Sequence, residues 1–240
     1  MEVVRYDLWS GCARVAEYNG MAFFTGHVAG KQPPTLREQV QEILDRYAEM
    51  IGRFGYKKEN LVAANAYSAD IAQAEEFHEV MKAWCVPGRM PTCTLVGAPP
   101  SGTFKLELAL FFACPSDEKK EEEVVMSHQG NNNGYSEVIF HNGFAYFSGV
   151  YADPEIRGMR AETENILQKY DAMFEKYGLK KSDMINSNCY VTDMSIVDEY
   201  GDPWCAWAGD KIAPAGVCVK TGLEGDRTVM IQLVVAAPGK

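Results

Sequence analysis

One 16-residue segment occurs twice in the sequence, and this repetition constrains the fold more than any other feature. ILDRYAEMIGRFGYKK occupies residues 43–58, and ILQKYDAMFEKYGLKK occupies residues 166–181, an offset of 123 residues. At the same offset, YNGMAFFTGHVAG (residues 18–30) aligns without a gap with HNGFAYFSGVYAD (residues 141–153). Self-similarity at a fixed separation indicates a duplicated structural unit. The chain is therefore predicted to contain two copies of one domain.

The domain boundaries follow from the segment that separates the copies. Residues 116–132 begin with the charged run SDEKKEEE and lead into the Asn- and Gly-rich GNNNG. Such a composition buries little apolar surface and turns easily. We therefore expect a first domain over residues 1–115, a linker over residues 116–132 and a second domain over residues 133–240.

Each copy carries the same pattern of elements. In EYNGMAFFTGHV, Asn-Gly lies between two apolar runs, which predicts a β-hairpin. From Ile43, apolar residues recur at i+4, i+7, i+8 and i+11, and Gly55 follows, which predicts a helix ending at this glycine. A strand (LVAANAYSAD), a second helix (AQAEEFHEVMKAW) and two strands (PTCTLVG and FKLELALFFA) complete the copy. The predicted fold class is α+β, with two tandem β-β-α-β-α-β-β domains whose helices cover one face of the sheet.

The composition argues against several classes of function. The net charge is −10 and no Lys/Arg cluster is present, whereas binding nucleic acid requires clustered cations, so we expect no nucleic-acid partner. No apolar run reaches the roughly 18 residues of a membrane span, and the N-terminus does not have the pattern of a signal peptide. We therefore expect a cytoplasmic protein without a membrane partner. The seven cysteines show no CxxC spacing, so we expect reduced thiols, no metal and no cofactor.

Four motifs together carry a family resemblance. They are the NG-x-x-[FY]-x-[ST]-G hairpin, the helix ending in G-[YL]-K-K, the N-x-Y-x-x-D strand, and the final strands PTCTLVG and KLEL. The combination resembles the Rid family, also called the YjgF/YER057c/UK114 or endoribonuclease L-PSP family, over nearly the whole chain. The resemblance implies a chorismate-mutase-like fold and trimers with a ligand cleft between adjacent subunits. It also implies hydrolysis of reactive enamines or imines, in which an arginine holds the substrate carboxylate and a glutamate helps to position water.

The arginine implied by the resemblance is missing from both copies. It would stand two residues before the cysteine of the penultimate strand. In the first copy that cysteine is Cys93, and the arginine position holds Pro91. In the second copy we match the cysteine to Cys218, two residues beyond the strict offset, so the arginine position holds Gly216. Proline and glycine cannot replace a guanidinium group, so we do not expect a standard 2-iminopropionate deaminase.

The other site positions are divided between the copies. The hydroxyl residue of the [ST]-G pair is Thr25 in the first copy and Ser148 in the second, and the family's tyrosine corresponds to Tyr135. The family's glutamate corresponds to Glu107, whose placement in an apolar strand suits water activation if its pKa is raised. An asparagine position of the second helix holds His78, which can transfer a proton. We predict that Glu107, Thr25 and His78 are catalytic.

Further residues are predicted to contact the substrate: His27, Pro91, Cys93, Tyr135, Ser148, Gly216 and Cys218. A structural alternative remains open for several positions. Glu107 can point outward at the rim of a sheet, His78 can be a solvated helix residue, and the cysteines can serve only in packing.

Two functions from different classes follow. The first is hydrolysis of an imine, enamine or related bond in a small reactive metabolite. The alternative is a non-catalytic module that binds a small metabolite or mediates assembly. Ribonuclease activity follows only from the older family label, and the acidic charge balance opposes it. Because three domains close each barrel in the family, we also expect a homo-oligomer in which three chains supply six domains.

Overall fold

The structure is a computed structural model that describes residues 3–9, 12–31, 33–114, 126–209 and 212–240. Described residues up to 114 are called half 1, and those from 126 onward are called half 2. Most of the predicted linker, residues 116–125, lies outside the described residues.

Both halves contain the predicted β-β-α-β-α-β-β order, with additional strands at Val4–Trp9 and His27–Val28 in half 1 and at Ser127–Gln129 in half 2. Half 1 contains β1 (Val4–Trp9), β2 (Cys12–Tyr18), β3 (Met21–Phe24), β4 (His27–Val28), α1 (Leu36–Phe54), β5 (Leu61–Ser68), α2 (Ala74–Trp84), β6 (Thr92–Val96) and β7 (Leu106–Ala113). Half 2 contains β8 (Ser127–Gln129), β9 (Val138–His141), β10 (Phe144–Phe147), α3 (Met159–Tyr177), β11 (Met184–Val191), α4 (Asp198–Ala208), β12 (Ala215–Lys220) and β13 (Val229–Ala236). The predicted α+β fold of two tandem units is confirmed. No described helix combines the length and apolarity that a membrane span needs.

Each half has one mixed sheet with its helices on one face. The strand order is β1-β2-β3-β7-β5-β6 in half 1, where β4 also pairs with β7, and β12-β11-β13-β10-β9-β8 in half 2. Among the described strand pairs, only β5–β6 and β11–β12 are parallel. Along β7, Leu106, Leu108 and Leu110 are fully buried in the core cluster that includes α1 and α2, whereas Glu107 faces the other side. The alternation expected for a strand therefore assigns one face to the helices.

Helix α1 begins and ends at residues suited to those positions. The Thr35 side chain accepts from the backbone N–H of Glu38, and the Glu38 side chain accepts from the backbone N–H of Thr35, which is a capping box. Gly55 ends the helix with a φ of 79°, in the left-handed region that favours glycine. In the apolar face, Tyr47 is fully buried and donates its hydroxyl to the Leu108 carbonyl at 2.7 Å. This bond attaches the helix to the centre of the sheet.

Strand β8 corrects part of the predicted linker. Ser127–Gln129 pair with β9, with Ser127 opposite Phe140. The Ser-His-Gln sequence has no apolar alternation, so nothing local predicts a strand there. The segment is held by its neighbours instead, since His128 Nδ1 lies 3.0 Å from the Met90 carbonyl of half 1. These residues therefore belong to half 2 rather than to a connecting segment.

The strand registers correct the match made for Cys218. Asn65 pairs with Thr94 in half 1, and Asn188 pairs with Val217 in half 2, so the 123-residue offset holds through β6 and β12 without displacement. In this register, Gly216 is the equivalent of Cys93, and the arginine position of half 2 holds Pro214. The repeated cysteine was therefore a wrong alignment. At the position that the resemblance assigns to the arginine, half 2 therefore has Pro214 instead of Gly216, and half 1 has Pro91.

The two halves pack directly on one another, with glycines at the closest approach. Gly97 donates its N–H to the Gly222 carbonyl at 2.8 Å, and the Gly222 N–H donates back at 3.1 Å. A Cβ on Gly97 would lie 2.9 Å from the Gly222 Cα, which is closer than real Cβ contacts. At another point of the contact, His141 Nε2 lies 2.9 Å from the Gly20 carbonyl oxygen. These contacts hold the two sheets in one arrangement.

The contact between the halves uses a different surface on each half. Every position of β6 is buried, whereas its repeat β12 is largely exposed. Val96 is 2% exposed, but its equivalent Val219 is 42% exposed. Half 1 therefore docks through β6 onto half 2, while the matching strand of half 2 is left uncovered within the chain. Such a contact is heterologous, in the sense used for head-to-tail interfaces.

Candidate functional site

A small cavity of about 30 Å³ lies where the two halves meet. Its wall includes His78, Cys93 and Leu95 from half 1 and Tyr135, Tyr151 and Glu224 from half 2. A void of this size holds one water molecule, or one group of similar size from a ligand. Three of the predicted site residues, His78, Cys93 and Tyr135, are thus brought together across the contact.

His78 is the centre of a hydrogen-bonded chain across the contact. Its Nδ1 lies 3.0 Å from the Tyr135 hydroxyl, and its Nε2 lies 3.1 Å from Glu224 Oε2. A carboxylate can only accept, so Nε2 carries the proton and donates to Glu224. The neutral ring then accepts at Nδ1 from the Tyr135 O–H. The resulting Glu–His–Tyr chain is suited to moving a proton, because the carboxylate orients the imidazole and stabilises its protonated form.

Cys93 is a packing residue in this arrangement. Its thiol faces the Tyr135 hydroxyl, and burial raises its pKa well above the ordinary value. A nucleophilic cysteine needs the opposite shift, toward the thiolate. Burial also raises the pKa of Tyr135, so this hydroxyl keeps its proton and remains a donor.

Ser148 joins the halves from a buried position behind the cavity. Its Oγ accepts from the Cys93 backbone N–H at 2.9 Å and donates to the Ser136 carbonyl at 2.8 Å. The Gly149 N–H donates to the Cys93 carbonyl at 3.0 Å, and the Ser136 N–H donates to the Pro91 carbonyl at 3.0 Å. Pro91 thus contributes through its backbone. Ser148 positions β6 of half 1 against half 2 and does not face a ligand in this arrangement.

The position of the family's glutamate differs between the halves. In each half the side chain at this position lies against a glycine. A Cβ added to Gly149 would lie 2.4 Å from Met230 Sδ, and a Cβ added to Gly26 would lie 2.2 Å from Glu107 Oε1. The two pairs are equivalent at the 123-residue offset. The enclosed cavity therefore has Met230 at this position and obtains its carboxylate from Glu224 instead. Glu107 belongs to the matching surface of half 1, which half 2 does not cover.

Thr25 and His27 also lie away from the cavity between the halves. His27 is 6% exposed and its ring contacts the Tyr47 ring edge-on at 5.0 Å between centroids. Burial, with help from the nearby Arg46 and Arg14, lowers the pKa of His27 to about 4. The ring is therefore neutral near pH 7 and buried between the β4 strand and α1. His27 pairs with Leu108 and faces α1, whereas Glu107 faces the opposite side of the sheet, so the two side chains do not share a site with each other or with His78.

Gly216 and Cys218 lie on the uncovered strand β12. Cys218 is half-buried and sits opposite Cys189 of β11, whose thiol lowers the pKa of Cys218 through a hydrogen bond. Neither residue is close to Tyr135 or Glu224 in the described contacts. Of the predicted site residues, only His78, Cys93 and Tyr135 line the cavity between the halves, and the others lie elsewhere rather than in one site per copy.

The enclosed cavity has little positive charge on its wall. Among the described residues, no lysine or arginine lines it. Lys82 lies behind the Tyr135 ring, with its Nζ 5.7 Å from the ring centroid, and the Arg227 guanidinium lies 5.5 Å from the Tyr151 ring centroid. Within the described ranges, no three His, Cys, Asp or Glu side chains are placed to hold a metal ion. The only carboxylate on the wall is that of Glu224.

Sequence reasoning missed Glu224 and Tyr151. Glu224 lies in the loop between β12 and β13, where the repeat has no acidic counterpart, since residue 101 of half 1 is a serine. Tyr151 replaces Val28 at the equivalent position. That difference between otherwise similar segments was visible and could have marked Tyr151 as a residue specific to half 2. Nothing in the sequence showed that Glu224 would reach His78 in the other half.

Comparisons with known proteins agree with the duplication. A family model described as "Endoribonuclease L-PSP" matches residues 11–111 and again residues 127–236. A RutC family protein of Haemophilus ducreyi is 26% identical over 105 residues, which cover 44% of this chain and 89% of the relative. RutC family protein YoaB of Escherichia coli strain K12 is 28% identical over 103 residues, 43% of this chain and 90% of the relative. Each relative therefore corresponds to about one half of the chain.

Two solved structures are similar to part or nearly all of this chain. NMB1025 of Neisseria meningitidis, described as a member of the YjgF protein family, is 22% identical to this chain, with a TM-score of 0.45. The alignment covers 50% of this chain and 100% of the NMB1025 chain. The alignment with a chorismatase structure covers 98% of this chain and 80% of the chorismatase chain, at 14% identity and a TM-score of 0.69. Because this alignment spans both halves, two such units within one chain are a fold that occurs elsewhere.

Proposed function

Because the chain belongs to the endoribonuclease L-PSP family, also known as the Rid or YjgF family, we propose that it hydrolyses a C=N bond in a small reactive imine or enamine. The observation that carries this proposal is the Glu224–His78–Tyr135 chain, which ends at a cavity able to hold a water molecule. The proposed site lies between the halves and takes residues from both.

The reaction needs one water and two transfers of a proton from oxygen to nitrogen, one as water adds and one as the carbinolamine hydroxyl becomes the carbonyl. Water adds its oxygen to the C=N carbon, its proton passes to the Tyr135–His78 pair, and the substrate nitrogen receives a proton from the same pair. Collapse of the resulting carbinolamine breaks the C–N bond and releases an amine or ammonia and a carbonyl compound. General acid–base assistance of this kind contributes roughly 10²–10⁴-fold to a rate.

The substrate differs from a 2-imino acid in this proposal. Pro91 and Pro214 occupy the positions at which the family's arginine would hold a carboxylate, and no cation lines the described cavity. We expect no acceleration of ammonia release from enzymatically generated 2-iminopropionate, while imines without a carboxylate are hydrolysed. A rate with 2-iminopropionate equal to or greater than that with uncharged imines would contradict this expectation.

Two substitutions decide which surface is active. His78→Gln is expected to lower kcat/KM by about 10²-fold or more, with a melting temperature close to that of the wild type. Glu107→Gln, on the uncovered surface of half 1, is the matched comparison and is expected to retain the rate. The opposite pattern, in which only Glu107→Gln is inactive, would move catalysis to the surface beside Gly26.

The second candidate is a non-catalytic module that binds a small metabolite. The cavity of about 30 Å³ would admit only one group of such a metabolite, because pockets for whole ligands usually measure roughly 300–1,000 Å³. Thermal stabilisation by a ligand without any turnover would support this candidate. Ribonuclease activity is opposed by the net charge of −10.

We also propose that further copies of the chain cover the unused docking surfaces. Val217 and Val219 of β12 are 55% and 42% exposed, whereas Val96 in β6 is covered by half 2. On the complementary surface of half 1, Phe23 is 44% exposed. Three chains that supply six halves, the number expected from the family resemblance, would give each uncovered β12 a partner surface on half 1 of another chain. A monomer in light scattering, or an unchanged mass for Val217→Asp, would refute this assembly.

A further inference from the structure

The Tyr151 hydroxyl lacks a hydrogen-bond partner at the wall of the cavity between the halves. Its oxygen lies near the Glu224 backbone N–H, which acts to lower the pKa of Tyr151, but no described group meets the full distance and angle geometry of a hydrogen bond with the hydroxyl. Burial raises the pKa of Tyr151 well above its ordinary value, so the group stays an uncharged hydroxyl. Buried polar groups are nearly always satisfied by protein, water or ligand. The cavity that Tyr151 lines is the place from which such a partner can reach it.

The charge of the cavity wall restricts what that partner can be. Cys93, Tyr135 and Tyr151 are held neutral by burial. Glu224 supplies a negative charge, and its side chain keeps 31% of its surface exposed. A carboxylate has about four lone-pair sites, and His78 uses one of them at Glu224 Oε2. Glu224 can therefore accept further hydrogen bonds from a donor in the cavity.

The nearby cations do not reverse this charge. Lys82 and Arg227 lie over the rings of Tyr135 and Tyr151, outside the cavity wall. The Arg227 guanidinium also donates to the Ala152 carbonyl. Neither side chain is among the residues that line the cavity, and Lys82 Nζ lies beside Gly134, next to Asn133 at the open side of the wall. A ligand carboxylate would meet Glu224 without a cation to compensate.

We propose that this cleft binds the nitrogen end of a small amine or iminium compound and excludes carboxylates. Glu224 is the counter-ion of the cationic nitrogen, and the Tyr151 oxygen accepts a hydrogen bond from it. The cavity admits one nitrogen-sized group, so the rest of the ligand and the attacking water of the proposed hydrolysis lie toward Asn133, the exposed residue of the wall. This inference rests on the same site as the proposed hydrolysis and names the class of its substrate.

Direct binding tests the inference without turnover. Isothermal titration of the wild-type protein at about pH 8, where alkylamines remain protonated, compares n-propylamine, propionate and propionamide at constant ionic strength. We expect n-propylamine to bind at least about tenfold more tightly than propionate. Glu224→Gln is expected to weaken amine binding about tenfold or more and Tyr151→Phe severalfold. Glu155→Gln, a charge-matched change at an exposed residue, is expected to leave the affinity unchanged.

Equal or tighter binding of propionate, binding of none of the three compounds, or an amine affinity unaffected by Glu224→Gln would overturn the inference. The outcome is separable from that of the hydrolysis assay. Amine binding that depends on Glu224, without hydrolysis of any imine, would keep this inference and remove the proposed activity. Hydrolysis that depends on His78, without amine binding, would keep the activity and remove this inference.

Discussion

The closest contact between the halves predicts a large difference between two similar substitutions. Gly97→Ala would place a Cβ 2.9 Å from the Gly222 Cα and 3.1 Å from the Ile71 Cβ. The first neighbour is backbone and cannot move aside by a rotamer change. Gly222→Ala would place a Cβ 3.3 Å from Ile71 Cγ2 and 3.4 Å from the Gly97 Cα, which is close to ordinary contact. The two changes therefore test the same contact with different severity.

The expected cost of Gly97→Ala follows from three terms. Overpacking costs about 1–3 kcal/mol, and separation of the strands weakens two backbone hydrogen bonds worth about 0.5–1.5 kcal/mol each. Reduced freedom of the unfolded chain offsets about 0.4–1 kcal/mol. The net loss is about 3 kcal/mol from the middle of these ranges, or roughly 6–12 °C in melting temperature for a chain of this length. Gly222→Ala is expected to change the stability by less than about 0.5 kcal/mol.

Urea unfolding and thermal melting of both variants measure these values. Glu224 lies two residues beyond Gly222, so displacement at Gly97 is also expected to separate Glu224 from His78 and reduce imine hydrolysis. Equal stability of the two variants, or a Gly97→Ala protein as stable as the wild type, would refute the docking described for the halves.

Two further predictions concern buried polar groups. Ser148→Ala leaves the Cys93 N–H unpaired and is expected to lower the free energy of unfolding in urea by about 1–3 kcal/mol. Thr25→Ala, at the equivalent position of half 1, is expected to lower it less. Equal losses would contradict the bridging role of Ser148. The second concerns His27, whose folded pKa is about 4 against an ordinary value of 6.5. Below pH 6.5 the unfolded state binds the proton first, so stability falls as the pH drops from 6.5 to 4, by up to roughly 3 kcal/mol. His27→Gln should flatten this part of the pH–stability curve, and an unchanged slope would rule out His27 as its source.

Much of the fold was readable because its signals are local and repeated. The face of α1 that includes Tyr47, the terminal Gly55 and the Asn-Gly hairpins all depend on neighbours close in sequence. Strand β8 was missed because its pairing with β9 and the contact of His128 with half 1 are tertiary. The displaced match of Cys218 failed for a related reason. A recurring residue type was taken as a marker of position, whereas position in a sheet is set by the register of hydrogen bonds.

Only part of the candidate site could be predicted from the sequence, because the docked halves combine residues of one copy with residues of the other. Sequence comparison grouped Thr25, His78 and Glu107 as the residues kept by the first copy. Head-to-tail contact instead joins the second helix and β6 of half 1 to the hairpin region of half 2, so His78 meets Tyr135 and Glu224. The surface that would combine the second helix of half 2 with the hairpin region of half 1 has Gly201 in place of His78 and Cys12 in place of Tyr135. These residues cannot form the same series of hydrogen bonds. Because each composite surface draws on both copies, a residue lost from one copy impairs only one of the two surfaces. The divergence of the copies is thus a physical consequence of their docking, and a duplicated chain of this kind can retain one proton-transfer site while its matching surface changes.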